Sequence, residues 1–159
     1  MAAPADWLLP DWPAPSRVKA LFTTRTGGVS RAPFDSFNLG EHVRDDPAAV
    51  SINRQRLQEA LGVRPVFLNQ VHGTRVVSLD GATPDGTEAD ACVVDRPGVA
   101  CTIMVADCLP VLFTNRAGTV VAAAHAGWRG LAGAGSDGLR QGVIEAAFQA
   151  LTRTAQTAR

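Results

Sequence analysis

The sequence predicts a mixed α/β fold, α/β or α+β in class, with a largely buried, at least partly antiparallel β-sheet flanked by helices. Three observations carry this reading. Short apolar runs bounded by turn clusters recur along the chain. One stretch carries helix start and stop signals, and a second reads as a closing helix. The last two strand-like runs, residues 109–114 and 119–124, are apolar on both faces, with Leu109, Val111 and Phe113 on one side and Leu112, Val121 and Ala123 on the other. Strands of that kind belong to a sheet covered on both sides.

Each element follows from local signals. Residues 17–24 (RVKALFTT) read as a strand ended by the Gly27-Gly28 turn. Residues 47–61 read as a helix, capped by Asp46, opened by Pro47 and stopped by Gly62. Its apolar side would carry Val50, Ile52, Leu57 and Leu61. Residues 66–68 and 75–79 are short strands flanking NQVHG, and 91–95 with 99–105 make a hairpin across Arg96-Pro97-Gly98. The 109–114 and 119–124 runs form a second hairpin across NRAG, residues 115–118. Residues 133–142 (GAGSDGLRQG) read as a loop and 143–151 as a closing helix. At 159 residues the whole chain, 1–159, is read as one domain.

Composition narrows the function classes. Lys+Arg and Asp+Glu number 15 each, so no basic excess points to nucleic acid or to an anionic membrane. The N-terminus has no basic start, and Pro4, Pro10, Pro13 and Pro15 interrupt it, which fits neither a signal peptide nor a membrane span. With three cysteines, an odd number, the expectation is a cytoplasmic protein with reduced thiols. Cys92 and Cys101 fall in apolar runs and read as core residues. Trp7 and Trp12 read as anchors for the proline-rich N-terminus.

The chemistry gathers around Cys108 and His125. Pairing Thr114 with Thr119 across the NRAG loop sets Cys108 directly opposite His125, with Cβ atoms about 4.5–5.5 Å apart. A one-residue slip would place them on opposite faces. His72, in Gln70-Val71-His72-Gly73-Thr74, sits between two short strands and could complete a set of three ligands. Three protein ligands leave one position of tetrahedral zinc open, as in a catalytic site. The ordinary alternative is a core cysteine and hydrogen-bonded histidines.

Five separated motifs then occur in order: FTTRTGGVS (22–30), FNLGEHV (37–43), NQVHG (69–73), ADCLPVLF (106–113) and HAGWRG (125–130). Together they resemble the YfiH-type family of purine nucleoside phosphorylases, also labelled laccase-domain or polyphenol oxidase proteins. The resemblance implies a mixed α/β fold and a Zn2+ ion held by His72, Cys108 and His125. It implies phosphorolysis of adenosine, inosine, guanosine and methylthioadenosine by inorganic phosphate, with adenosine deamination at the same site. Deamination needs an activated water, and phosphorolysis needs a phosphate held by cations or amides.

Arg25, beside Gly27-Gly28, is a candidate phosphate contact, or else a solvated arginine at a strand-ending turn. Asn38 and His42 are candidate substrate contacts, or polar groups of a capped loop. Asp107, placed with Cys108 in the catalytic group, is a candidate to orient a ligand, though in a regular strand it would face the other way. Trp128 would pack beside the site, and Arg129 could reach an anion. The family-like text frays after Gly133, so the chain reads as C-terminally incomplete relative to the family. That leaves open a non-catalytic or inactive metal-binding remnant, and also a homo-oligomer. A copper polyphenol oxidase, with Met104 as axial ligand, is the less favoured reading, because a multicopper centre needs many more imidazoles than three.

Overall fold

The computed structural model describes residues 4, 6–133 and 141–158, which fall into two compact units: Met1–Pro13 with Lys19–Arg64, and Ala14–Val18 with Pro65–Arg159. Most of the expected 133–142 loop, residues 134–140, lies outside the described residues.

The first unit is organised by α1, Pro47–Leu61, with the expected boundaries. Asp46 Oδ1 accepts from the Ala48 amide at 2.9 Å, and Gly62, at φ +69°, closes the last turn onto the Gln58 carbonyl. Its buried face is Ala49, Val50, Asn53 and Leu57, whereas the expected Ile52 is 43% exposed. The substitute is polar: wholly buried Asn53 donates to Ser30 Oγ and to the Ser36 and Asn38 carbonyls, and accepts from the Val29 amide. One side chain thus ties both motif loops of this unit to α1. Trp7 is buried against Phe37, with ring centroids 5.6 Å apart.

The strand expected over 17–24 is reduced to a single antiparallel bridge, Leu8 with Phe22. The next hydrogen-bonded position along the partner segment is Pro10, which has no N–H to donate, so the ladder cannot extend that way. On the other side, Asp6 receives the Thr24 hydroxyl at 2.6 Å through its side chain.

The second unit contains β1 (Arg64–Phe67), β2 (Val76–Ser78), β3 (Ala91–Val94), β4 (Val99–Thr102), β5 (Leu109–Thr114), β6 (Val121–Ala126), α2 (Trp128–Ala132) and α3 (Val143–Thr157). Four strands form a sheet in the order β2-β3-β6-β5, with β2 parallel to β3 and the other pairs antiparallel. The hairpin expected between 91–95 and 99–105 does not form. Both strands exist, but the turn ending at Gly98 (φ +93°) carries the chain out of the four-stranded sheet, and β4 pairs with β1 in a separate two-stranded sheet.

The four-stranded sheet is covered on both faces at its centre. Ala91, Val93, Val120, Ala122, Ala124 and Ala126 meet Val143, Ala147, Ala150 and Leu151 on or next to α3. Cys92, Val94 and Ala123 meet Val66, Leu68, Leu79 and Ala89 on the opposite side. The alanine-rich β6 brings α3 close to the sheet, and β3 is buried along its whole length. Coverage fails at the edge strand β5, where Leu109 is 66% exposed and Leu112 also reaches solvent. The closing helix runs to Thr157, beyond the expected 151, and α2 had no sequence expectation.

Candidate metal centre

His72, Cys108 and His125 come together in the second unit, one ligand atom of each lying within 4.8 Å of the others. Three segments deliver them: the turn between β1 and β2, the bend that precedes β5, and strand β6. Cys108 Sγ lies 3.8 Å from His72 Nε2, and the two imidazole rings meet edge to face at 4.6 Å.

The β5–β6 register differs from the expected one by two residues. Thr114 pairs with Val121 and Pro110 with His125. The reason is Asn115, whose Oδ1 accepts from the Thr119 and Val120 amides at 2.9 and 3.2 Å. Those amides are lost to the ladder, so the loop lengthens. A shift of two preserves the face on which every side chain points, and Cys108 and His125 therefore still converge, diagonally rather than directly opposite. Strand β5 begins at Leu109, so Asp107 and Cys108 occupy a bend, and strand alternation does not govern where Asp107 points. Asp107 is exposed.

Continuing the pairing one step past Leu109 and Ala126 sets Cys108 against Gly127. That glycine is a steric requirement: a Cβ built there would lie 2.8 Å from His72 Cδ2 and 3.0 Å from Cys108 Sγ. No side chain fits between the two ligands.

Two residues with no assigned role hold the ligand segments together. Asp90, wholly buried just before β3, accepts from the consecutive amides of Val71, His72 and Gly73 at 3.2, 2.8 and 2.7 Å, and from His125 Nδ1 at 2.9 Å. His72 adopts φ +61°, a left-handed backbone uncommon outside glycine. Gln70 pairs its amide with the Met104 backbone, donating to the carbonyl at 2.7 Å and accepting from the N–H at 2.8 Å. The NQVHG segment is thereby fastened to His125 through Asp90 and to the irregular segment leading into Cys108 through Gln70. A carboxylate set at the head of an all-apolar strand, as in ADACVV, was the available sequence signal for Asp90. Gln70 lay inside a quoted motif without a role.

Two imidazole nitrogens and a thiolate form a donor set suited to zinc and other borderline metals. The group could hold a metal ion.

Arg25, Asn38 and His42 belong to the first unit. Arg25 is exposed; its Nε donates to the Asp35 carbonyl at 2.8 Å and its Nη2 lies 3.9 Å from the Asp35 carboxylate. The Gly28 and Val29 amides, which a glycine-loop phosphate cradle would use, are taken by Ser36 Oγ and Asn53 Oδ1. Asn38 is spent within its loop: it donates to the Gly40 carbonyl and to Asp45, and accepts from the Gly40 amide. Hydrogen bonds from the Ser30 hydroxyl and the Asn38 amide hold the Asp45 carboxyl below its ordinary pKa. His42 is exposed in the short helical turn Glu41–Val43. Trp128 and Arg129 are exposed at the start of α2, the guanidinium stacked 5.1 Å from the indole ring. Cys92 and Cys101 are free thiols in the core, and a hydrogen bond to Cys92 together with burial pushes the Cys101 pKa well above its usual range.

Among the described residues, a mixed α/β fold thus carries a His-Cys-His group that could hold a metal ion. The chain belongs to the YfiH-type family, and the family model described as multi-copper polyphenol oxidoreductase laccase matches it over residues 19–159. It is 60% identical over 145 residues to a purine nucleoside phosphorylase of Pseudomonas aeruginosa, covering 91% of this chain and 56% of that protein. With the purine nucleoside phosphorylase YfiH of Escherichia coli it shares 55% identity over 126 residues, 78% of this chain and 52% of that one. The crystal structure of a Neisseria meningitidis protein superposes with a TM-score of 0.83 at 52% identity, covering 91% of this chain and 57% of that chain. The chain thus spans about half the length of the relatives it matches. Among the described residues no helix is long and apolar enough to cross a membrane.

Proposed function

We propose that the protein is a zinc-dependent, cytoplasmic purine nucleoside phosphorylase. It would act on adenosine, inosine, guanosine and methylthioadenosine with inorganic phosphate, and would also deaminate adenosine. The observation that carries the reading is the convergence of His72, Cys108 and His125, and relatives named as purine nucleoside phosphorylases support it.

His72, through Nε2, Cys108, through Sγ, and His125 would hold the ion. When bound, zinc supplies Lewis acidity and brings the pKa of a coordinated water toward neutrality. The protein's own part is positional. The thiolate and two imidazoles are held ready by Asp90, Gln70 and Gly127, so little reorganisation falls to the reacting complex. The exposed carboxylate of Asp107, next to Cys108, is proposed to orient the attacking oxygen or take its proton. In phosphorolysis a phosphate oxygen bonds to the ribose anomeric carbon as the C–N bond breaks. The electron pair leaves with the purine nitrogen, which takes up a proton, giving base and ribose 1-phosphate. In deamination, water adds at the purine C6 and ammonia departs. Arg25, Asn38 and His42, all in the first unit, are the proposed substrate-binding residues.

The test is incubation with inosine, with and without phosphate, followed by chromatography of hypoxanthine and ribose 1-phosphate. Phosphate-dependent product that disappears in Cys108→Ser is expected. Soluble, zinc-loaded protein without product would overturn the reading in favour of a metal-binding chain without turnover, and Cys108→Ser with normal zinc content and turnover would overturn the metal mechanism. A copper-dependent polyphenol oxidase is the less favoured reading, because a multicopper centre needs more imidazoles than the three in this chain.

A further inference from the structure

We propose that Asp90 is the positioning residue of the metal centre: one buried carboxylate fixes both the backbone turn that carries His72 and the ring tautomer of His125. The inference rests on the metal reading above but makes its own demand on the structure. Three backbone amides donate to Asp90, and its carboxylate, which can only accept, faces His125 Nδ1 as well. Oδ1 takes the His72 amide and His125 Nδ1, while Oδ2 takes the Val71 and Gly73 amides. Only an acceptor with two oxygens satisfies all four. A neutral imidazole has one N–H and one lone pair. With Nδ1–H committed to Asp90, the lone pair of His125 must reside on Nε2, the one ring nitrogen left for an ion. A carboxylate behind a ligating histidine also fixes its orientation. The same group gathers three successive amides around the left-handed His72 backbone, which aims the His72 ring at Cys108.

Asp90→Asn, nearly the same shape, separates the two functions, because its amide nitrogen must replace one oxygen. At the Oδ2 position it confronts the Val71 and Gly73 amides with a donor and the turn loosens. At the Oδ1 position it confronts His125 Nδ1 and drives the proton to Nε2, which closes that nitrogen to a metal. Both orientations weaken the site.

Two measurements test this. Long-range 1H–15N correlation spectra of the metal-free wild-type protein should show His125 as the Nδ1–H tautomer, and an Nε2–H tautomer would overturn the proposal whatever the variant does. Competition with a chromophoric chelator should then show zinc bound about 10–100-fold more weakly by Asp90→Asn, with a changed visible spectrum of the cobalt-substituted site. Affinity within about twofold of wild type would overturn the proposal. If wild type itself binds no zinc, the functional reading fails, while the imidazole spectrum still decides the role of Asp90; the same spectrum decides it if the variant does not fold.

Discussion

Gly127→Ala tests the geometry of the site with one methyl group. Backbone strain is not the issue, since Gly127 has φ −75° and ψ 158°, which alanine adopts freely. The cost is steric: the new Cβ would sit 2.8 Å from His72 Cδ2 and 3.0 Å from Cys108 Sγ. Carbon atoms settle at about 3.5–4.0 Å, so the His72 ring must retreat by about 0.7 Å or more, and the sulfur by a comparable distance. Metal sites tolerate roughly 0.2 Å in ligand distance. Two of the three ligands are therefore displaced beyond what a bound ion accepts, and a loss of about 100-fold in zinc affinity follows, the upper end of the range for changes beside the ligands. The consequence appears in thermal unfolding. At zinc one hundred times the wild-type Kd, binding stabilises the native state by about 2.7 kcal/mol, and a 100-fold weaker variant retains about 0.4 kcal/mol at the same concentration. Zinc should then raise the wild-type Tm by roughly 5–11 °C and that of the variant by about 1 °C. The metal-free variant, measured with chelator, reports the overpacking cost separately, and Gly81→Ala, where an added Cβ meets nothing within 4 Å, is the control. A variant whose zinc-induced shift equals that of wild type would refute the reasoning.

Other consequences are simpler to check. Gln70→Ala removes both bonds to the Met104 backbone and should cost about 1–3 kcal/mol by denaturant unfolding, with weaker zinc binding; an unchanged midpoint would show that the clamp contributes nothing. In native protein, Cys92 and Cys101 should resist alkylation, because both sit in the core and Cys101 is held as a protonated thiol. Cys108 should label when metal-free and be protected by zinc, and mass spectrometry of peptides distinguishes the three. Asp45 should contribute to acid sensitivity. Its pKa is lowered in the folded state by Ser30 and Asn38, so its contribution is fully present above the unfolded value of about 4 and is lost as pH falls through the lower folded value. Asp45→Asn should flatten that acid limb without altering stability below it, and an identical pH dependence would rule the effect out.

The parts of this protein legible in its sequence are those in which a side chain acts by its own chemistry. Asp46, Pro47 and Gly62 bounded α1 because each satisfies or terminates a helical backbone bond locally. The three ligands stood out because His and Cys at turn and strand ends are few and chemically distinct. Pairing between strands was not legible. The 91–95 and 99–105 runs look like one hairpin, yet nothing local in Arg96-Pro97-Gly98 says that β4 leaves for β1. The β5–β6 register is not legible either, because the Asn115 side chain captures amides within the turn that would otherwise join the ladder, and in sequence it looks like an ordinary turn residue. Convergence of Cys108 with His125 survived the error only because the shift was even.

The residues that hold the candidate ligands in place act through backbone amides and through space, so little in the sequence marks them. Asp90 matters for the three amides and one ring nitrogen it gathers, Gln70 for one peptide unit it imitates, and Gly127 for the atoms it lacks. The groups that build the metal centre also all lie in the second unit, whereas Arg25, Asn38 and His42 lie in the first. The proposed metal ligands and the proposed substrate contacts are thus different sets of residues. Damage to Asp90 or Gly127 must lower zinc occupancy and turnover together, because the ligands themselves move. A change at Arg25 or His42 must leave zinc occupancy intact and, if those residues meet substrate, appear in KM. A variant set that keeps these two patterns apart separates a working phosphorylase from a metal-binding chain that does not turn over, without reference to its length.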